Sequence, residues 1–177
     1  SLAIEEEIGN REGVAISLDN LGNTCRRLGQ YSKAIDYHSR SLAIAGEIGN
    51  QQAVASSLNK LGNAYVNLGQ YDKAIGYYSR SLAILEEIGN QQGVASSLSS
   101  LGIACESLGQ HAKAADYHAR SLAIAEEMGD PQGIAGSLNG LGIAYDGLGQ
   151  YDKAIGYHSR SLAIEEEIGN REGVAIS

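Results

Sequence analysis

The feature that most constrains the fold is a repeat with a period of 40 residues. The tetrad SLAI begins at residues 1, 41, 81, 121 and 161, and LGQ recurs at 28, 68, 108 and 148 in the same register. Self-similarity at a fixed period of about 20–50 residues is typical of solenoids and propellers. The repeat therefore predicts an array of similar structural units.

The two ends of the chain are identical. Residues 1–17 and 161–177 both read SLAIEEEIGNREGVAIS, whereas the internal copy at 41–57 has drifted to SLAIAGEIGNQQAVASS. The chain is thus four periods plus an overlap of 17 residues. Either a longer array has a super-period of 160 residues, or the two ends follow a repeat rule, and the sequence leaves both explanations open.

Each period is predicted to be a pair of helices. In the second period, Leu58, Leu61 and Tyr65 follow a three-and-four spacing that marks one apolar stripe of a helix, which we call helix A. A second stripe, at 71–88, marks helix B. The A helices are expected near 14–28, 54–68, 94–108 and 134–148, with starts a few residues earlier where an Asn or Asp caps the helix, and the B helices near 31–48, 71–88, 111–128 and 151–168.

The joints between helices carry their own signals. Gly69 and Gly89 follow the apolar stripes and suit a left-handed residue at the end of a helix. Asn90 suits the start of the next helix, and Asp130 is followed by the only proline, Pro131, at the first helical position. No segment alternates with period two, so the predicted fold class is all-α, with more than about 70% helix against the ~30–35% that is usual.

Small residues recur where the two helices of a pair would meet. Gly62 and Ala74 have equivalents in every period. Glycine inside a helix costs about 1 kcal/mol relative to alanine. Its return in all four copies predicts close packing of helix A on helix B at that point.

The recurring residues resemble the frame of the tetratricopeptide repeat, and the resemblance covers the whole chain. In the second period they are Leu58, Leu61, Gly62, Tyr65, Ala74 and Tyr78. The chain departs from the family pattern in having Ser81 where alanine is frequent and Glu86 where proline is frequent, and its period of 40 is similar to that of Pins/LGN-type scaffolds. The resemblance implies a right-handed α-solenoid of stacked helix-turn-helix repeats whose A helices form a peptide-binding inner wall.

The predicted organisation is a single array. Residues 1–13 would hold the end of a B helix and a turn, and residues 174–177 the start of a further A helix. Between them, the four repeats are expected at 14–53, 54–93, 94–133 and 134–173.

The four copies differ mainly along one stripe of helix A, away from the leucine and tyrosine stripe. If the resemblance holds, these residues line the inner wall and bind peptide. They are Asp19, Asn23, Arg26, Arg27, Asn59, Asn63, Val66, Asn67, Ser99, Ile103, Glu106, Ser107, Asn139, Ile143 and Asp146. The alternative is drift on a solvated face.

These side chains would form a graded groove. Asparagine amides can donate to and accept from a peptide backbone. Arg26 and Arg27 would bind acidic side chains, Ile103 would make apolar contacts, and Glu106 and Asp146 would favour basic ligands. A basic clamp for a terminal carboxylate, known in some members of the family, is not supported, since its positions hold Ser96, Ser100 and Asp19.

Three histidines occupy the ring position of Tyr78 in the other periods: His38, His118 and His158. Helices pack about 8–10 Å apart, which is too far for equivalent residues to share a zinc ion at about 2 Å. We therefore expect structural histidines and no metal, and the same holds for His111, which replaces a tyrosine.

The two cysteines, Cys25 and Cys105, lie two repeats apart, beyond the ~7 Å that a disulfide allows between Cα atoms. Buried free thiols are expected, which fits a reducing, cytoplasmic location. No nucleophile and base, and no phosphate-binding loop, are recognised. We therefore expect no cofactor and no catalysis.

The formal net charge of −8 argues against nucleic acid and against an anionic membrane surface as partners. The glutamate runs at 5–7, 86–87, 126–127 and 165–167 are read as solvated helix ends. The predicted function is a non-catalytic scaffold that binds a protein or peptide. The alternative is an array that stacks head-to-tail into filaments through apolar residues at its ends, which are Leu2, Ile4, Ile8, Leu162 and Ile164.

Overall fold

A computed structural model describes the backbone of residues 2–175 and the side chains of residues 9–169. It has eight helices, and no residue of 2–175 lies in a β-strand. The helices are α1 (Leu2–Arg27), α2 (Tyr31–Ile48), α3 (Gln51–Asn67), α4 (Tyr71–Glu87), α5 (Gln91–Ser107), α6 (His111–Met128), α7 (Pro131–Gly147) and α8 (Tyr151–Ala175). Only seven joints of two or three residues lie between them, which confirms the all-α prediction and the high helix content.

The helices form two compact units, residues 1–90 with α1–α4 and residues 91–177 with α5–α8. In the first unit each helix packs on the next, and α1 also touches α3. In the second unit the order is the same, and α5 also touches α7. Each unit is therefore two stacked A/B pairs, with α1, α3, α5 and α7 as the A helices.

The interior joints follow the predicted turn chemistry. Gly49 has φ 77°, and the backbone N–H of the next residue, Asn50, bonds the Ala45 carbonyl at 3.0 Å, closing α2. Asn50 Oδ1 then accepts the Ala53 N–H at 3.0 Å, so this residue ends one turn and caps α3. Asp130 stands before Pro131 as predicted, although its side chain makes no capping hydrogen bond.

The structure differs from the sequence prediction at two joints. Turns were expected at Gly9–Asn10 and Gly169–Asn170, but α1 and α8 run through them as single helices. A turn gives up intrahelical hydrogen bonds and has to be stabilised by packing of both flanking helices on neighbours. At Gly9 the A helix that would precede residues 2–8 is not among these 177 residues, and continuing the helix through glycine costs only about 1 kcal/mol.

Glycine–ring contacts hold each A/B pair together. A Cβ added to Gly62 would lie 2.4 Å from the Tyr78 ring, so only glycine lets the ring lie on the A helix here. The distance is 2.5 Å for the equivalent pair of Gly22 and His38. It is 2.4 Å for the corresponding glycines of the second unit, Gly102 with His118 and Gly142 with His158. The predicted close packing of the helices is confirmed.

The serine that departs from the family pattern also joins the helices of a pair. The Ser81 hydroxyl is buried and donates to the Ala55 carbonyl of the A helix at 2.9 Å. The same bond recurs in the other three copies at 2.9–3.1 Å, from Ser41 to Ala15, Ser121 to Ala95 and Ser161 to Ala135. An alanine would leave that carbonyl without this donor, so each serine adds an interhelical hydrogen bond to its pair.

Two glycines of one A/B pair should respond oppositely to alanine. We expect Gly62→Ala to lower the free energy of unfolding by about 1–3 kcal/mol, because its Cβ overlaps the Tyr78 ring. Gly76→Ala meets nothing within 4 Å and should raise stability by about 0.5–1 kcal/mol through helix propensity. Urea unfolding of both variants checks this, and a loss of stability in Gly76→Ala would contradict it.

Candidate peptide-binding face of the A helices

The structure places all fifteen predicted peptide-binding residues at the surface of the A helices. None is buried, and seven are only partly exposed: Asp19, Asn23, Arg26, Asn59, Val66, Ser99 and Glu106. Ile103 and Ile143 are 52% and 44% exposed, so both side chains are open to contact. The stripe is thus accessible, and whether it binds peptide stays a prediction.

Asp19 is held by contacts within its own unit. Its Oδ1 lies 3.0 Å from Nδ1 of His38, a fully buried ring on α2. Its Oδ2 accepts from the Lys60 ammonium of α3. Asp19 therefore links the two A helices of this unit through one carboxylate and shares its charge between two partners.

The electrostatics of Asp19 follow from this geometry. Burial alone would raise the pKa of its carboxyl, but the hydrogen bonds with His38 and Lys60 and the Lys60 charge outweigh burial and hold the pKa below its usual 3.8. The charged form is therefore the stable one in the folded protein. An acidic side chain at this point of the face is already neutralised and offers little to a basic ligand.

Rings from other B helices reach the same face. The Tyr78 hydroxyl donates to Asn63 Oδ1 at 2.6 Å, and His158 Nδ1 lies 3.1 Å from Asn139 Oδ1. Burial raises the pKa of Tyr78 to about 12, although the nearby Arg26 opposes the shift, so the phenol stays a donor. The side-chain oxygens of these asparagines therefore already take part in hydrogen bonds within the protein, which leaves their amide N–H groups for a ligand.

The third copy lacks such a bond. Ser99 occupies the position of Asp19, and its side chain is too short to reach the ring of His118. The ring lies between Gly102 and Gly140, and its Nε2 comes within 3.2 Å of Glu106 Oε1 without hydrogen-bond geometry. Both ring nitrogens and that oxygen are buried and have no hydrogen-bond partner, so three unsatisfied polar atoms lie together at this point of the face.

Each unit has a hollow between its A helices. In the first unit the hollow is about 150 Å³ and lies between α1 and the start of α3, with α2 beneath it and with Asp19 and Ile16 in its wall. In the second unit it is about 320 Å³ and lies between α5 and α7, with Ser99 in its wall. The second hollow is larger because smaller residues line it at equivalent positions, with Ser96 in place of Ile16 and Gly133 in place of Ala53.

Sequence reasoning missed Lys60 and the small residues of the second hollow. Lys60 differs between copies, with Asn20, Ser100 and Gly140 at equivalent positions. That variation was the available signal. It was missed because Lys60 lies at the edge of the stripe, and its bond to Asp19 joins two helices through residues that are 41 positions apart in sequence.

The histidines and cysteines are placed mostly as expected. His38 and His118 are buried rings, but His158 is exposed, because no further A helix covers α8 in the described residues. Both cysteines are free thiols; Cys105 is buried as predicted, whereas Cys25 is only partly buried. Within the described residues no three His, Cys, Asp or Glu side chains are arranged to hold a metal ion.

Two further observations concern the glutamate runs at the helix ends and the hydropathy of the helices. The glutamates at 86–87, 126–127 and 165–167 are exposed, as predicted, and residues 5–7 lie outside the described side chains. None of the described helices combines the length and apolar character needed to cross a membrane.

Asp19→Asn should remove the negative charge of this residue while keeping an oxygen that can accept a hydrogen bond from His38. Asn139, the equivalent residue, still meets the ring of its own pair, so the amide can replace the carboxylate toward His38 but not toward Lys60. We expect a loss of about 1–2 kcal/mol at pH 7.

The pH dependence of that loss has a defined sign. Because the folded-state pKa of Asp19 is lowered below 3.8, its contribution is fully present above about pH 5 and disappears as the pH falls through the folded-state value. Urea unfolding of both proteins from pH 7 to pH 3 should show the difference shrinking below about pH 4. A difference that grows on acidification would contradict the assignment.

Comparisons with known proteins agree with this architecture. No curated protein matches the chain by sequence. Among solved structures, BtubC (BKLC) from P. vanneervenii superposes with a TM-score of 0.80 at 26% identity over 88% of this chain and 64% of that one. Aspartyl phosphate phosphatase F from Bacillus subtilis superposes with a TM-score of 0.84 at 21% identity over 90% of this chain and 42% of that one.

A Rap protein complexed with competence and sporulation factor superposes with a TM-score of 0.78 at 20% identity, over 91% of this chain and 44% of that one. The chain therefore spans less than two thirds of each of these structures. Two models described as tetratricopeptide repeat match residues 1–47 with 53–127, and residues 137–172. These matches cover most of the sequence and include at least part of each of the eight helices, and the chain belongs to the tetratricopeptide repeat family.

Proposed function

We propose that the chain is a non-catalytic scaffold that binds an extended peptide or partner segment on the variable stripe of its A helices. The observation that carries this proposal is the pairing of an accessible, chemically varied stripe with a hollow between the A helices of each unit. Packing residues repeat between the copies, whereas the stripe differs. A surface that varies while its support is constant is suited to recognition.

The polarity of the site differs between the two units. In the first unit Arg26 and Arg27 end α1, and the guanidinium of Arg27 is exposed to solvent. The acidic Asp19 of this unit is neutralised by Lys60, so the free charge on the stripe residues of this unit is positive. The second unit instead offers exposed Ile103 and Ile143, together with the exposed carboxylate of Asp146. The first unit is therefore expected to prefer acidic side chains, and the second unit apolar and basic ones.

A catalytic role has little support in the chemistry of the described side chains. Burial raises the pKa of the Cys105 thiol, which makes it a poorer nucleophile at neutral pH. His118 lies buried between two glycines and has no access to a substrate. Two free thiols also fit a reducing, cytoplasmic compartment.

Charge reversal at the end of α1 tests the polarity of the groove. Arg26→Glu with Arg27→Glu should weaken an acidic peptide partner about tenfold or more and leave a neutral apolar one nearly unchanged. Isothermal titration with partners recovered by affinity capture measures this, and thermal unfolding checks that both proteins fold equally. An acidic partner whose affinity ignores the double change would refute the proposed polarity.

A second function, head-to-tail association, is favoured by the exposure of apolar residues at two helix faces. On α8, Leu162 is 56% exposed, whereas its equivalent Leu82 is 8% exposed. On α1, Leu21 is 48% exposed, whereas its equivalent Leu61 is fully buried. Leu42 on α2 and Leu61 on α3 are the equivalents of Leu162 and Leu21, and α2 packs on α3 within the first unit, so α8 of one molecule would fit α1 of the next. Ile164 is partly exposed, and the side chains of Leu2, Ile4 and Ile8 lie outside the described residues.

Complementary variants can test this association. Leu21→Glu and Leu162→Glu should each give a monomer in light scattering at concentrations where the unchanged chain associates, because a charge would be buried at the joint. Each variant keeps one intact face, so an equimolar mixture should form a heterodimer and go no further. Ala163→Glu, exposed on the same helix, is the control. A monomeric mass for the unchanged chain at every concentration would end this proposal.

A further inference from the structure

A cluster of two cations and two aromatic rings lies on the exposed side of the α3/α4 pair. Tyr65 and Tyr77 stack with ring centroids 5.2 Å apart and planes 8° from parallel. Lys73 Nζ lies 5.3 Å from the centre of the Tyr65 ring, and Arg80 Cζ lies 5.9 Å from that of Tyr77. These four residues and Gly76 line a shallow hollow of about 370 Å³, which we call the Tyr–Lys–Arg surface.

In the first copy the arginine equivalent to Arg80 pairs with a carboxylate on its own helix, and Arg80 has no carboxylate at that position. Arg40 pairs with Asp36 one turn earlier on α2, at 3.7 Å. The residue one turn before Arg80 is Gly76, and a Cβ added there would meet nothing within 4 Å. The glycine thus removes the intrahelical partner and leaves open space beside the guanidinium.

A second carboxylate is missing from the same place. In the other unit Arg160 lies 3.9 Å from Glu126 of the preceding B helix. The equivalent of Glu126 for Arg80 is Gly46, on α2, which also has open space around it. Arg80 therefore has glycine at both positions from which the equivalent arginines receive a carboxylate.

Lys73 has no acidic residue three or four positions away on its own helix, and the adjacent Asp72 lies on a different side of that helix. Residues three and four positions away on a helix are its surface neighbours, and for Lys73 the next ones are Gly76 and Tyr77. Burial and then the adjacent Tyr65 raise the pKa of Tyr77, while Arg80 and Lys73 oppose the shift. A chain with a formal net charge of −8 thus has a local concentration of positive charge on a flat aromatic surface.

We propose that the Tyr–Lys–Arg surface binds an acidic peptide segment of a partner protein. Lys73 and Arg80 lie seven residues apart on α4, so their backbones are about 10 Å apart along the helix. That spacing suits two carboxylate side chains, one for each cation, better than a single phosphate group. The stacked tyrosines between them give the peptide backbone and its apolar side chains an aromatic surface to lie on.

This surface is separate from the A-helix stripe and goes beyond the function proposed above. Its residues come from the side of α3 and α4 that carries the tyrosine stripe, and none belongs to the fifteen predicted peptide-binding residues. Failure of one proposal therefore leaves the other standing. The test is run in the Arg26→Glu, Arg27→Glu background, so that an acidic probe cannot report on the other site.

The probe is a fluorescein-labelled Gly/Ser peptide with two glutamates three residues apart, which spans about 10 Å when extended. Fluorescence anisotropy at low ionic strength measures the dissociation constant. Lys73→Gln and Arg80→Gln should each weaken binding about twofold to fivefold, the range of one exposed ion pair. Raising the salt to 0.5 M should weaken binding further, because exposed charges are screened.

Substitutions at glycine separate charge from shape. Gly76→Asp gives Arg80 the intrahelical carboxylate that Arg40 already has, and should weaken the probe as much as Arg80→Gln does. Gly76→Ala adds a methyl group without charge and should leave binding nearly unchanged. Gly156→Asp, the matched change beside Arg160, should also have no effect, because that arginine already lies near Glu126.

Three outcomes would overturn the proposal. The first is equal affinity for the probe and for its glutamine analogue. The second is unchanged binding in both Lys73→Gln and Arg80→Gln. The third is a loss in Gly76→Ala as large as that in Gly76→Asp, which would show that shape, and not the unpaired cation, governs binding at this surface.

Discussion

The contact between a glycine of helix A and a ring of helix B is the constraint on which the rest of the structure depends. In all four copies the ring lies where the first side-chain carbon of any other residue would be, at 2.4–2.5 Å. The contact sets how closely the two helices approach. Once they are that close, the small residues of helix B such as Ala74 are buried, and Ser81 can reach a carbonyl of helix A. The glycine–ring contact therefore determines both the stability of each A/B pair and the position of its A-helix face.

One consequence is that the variable face is not independent of the core. The tip of each ring emerges among the residues that differ between copies, and it meets Asp19, Asn63, Glu106 or Asn139. Which residue it meets depends on the ring. Histidine reaches the nearest position when an acceptor is present there, whereas the longer Tyr78 reaches one turn further. A substitution on this face can therefore change stability as well as recognition, and binding data for these positions need unfolding data beside them.

The sequence was sufficient for the helices, the interior joints and the tight glycine contacts, because period, capping residues and small-residue positions are local signals that repeat four times. It was not sufficient for the contacts that cross between helices. The pairing of Lys60 with Asp19 and the exposure of His158 depend on which helices cover a side chain. Nor could local signals show that α1 and α8 continue through Gly9 and Gly169. The same sequence, EEIGN, ends α4 at residues 86–90. There the presence or absence of flanking helices decides the outcome.

Glycine has two distinct roles in this chain, and the space around each glycine separates them. Gly62, which returns in every copy, and Gly140, which occurs in one copy only, both lie against a ring that excludes a side chain. Gly46 and Gly76, which are also replaced in other copies, have open space around them and no packing reason to be glycine. What they change is charge, because other copies have Glu126 or Asp36 there. A copy that has glycine at one of these open positions therefore lacks the carboxylate that pairs with an arginine in another copy. In this chain both such glycines lie beside Arg80.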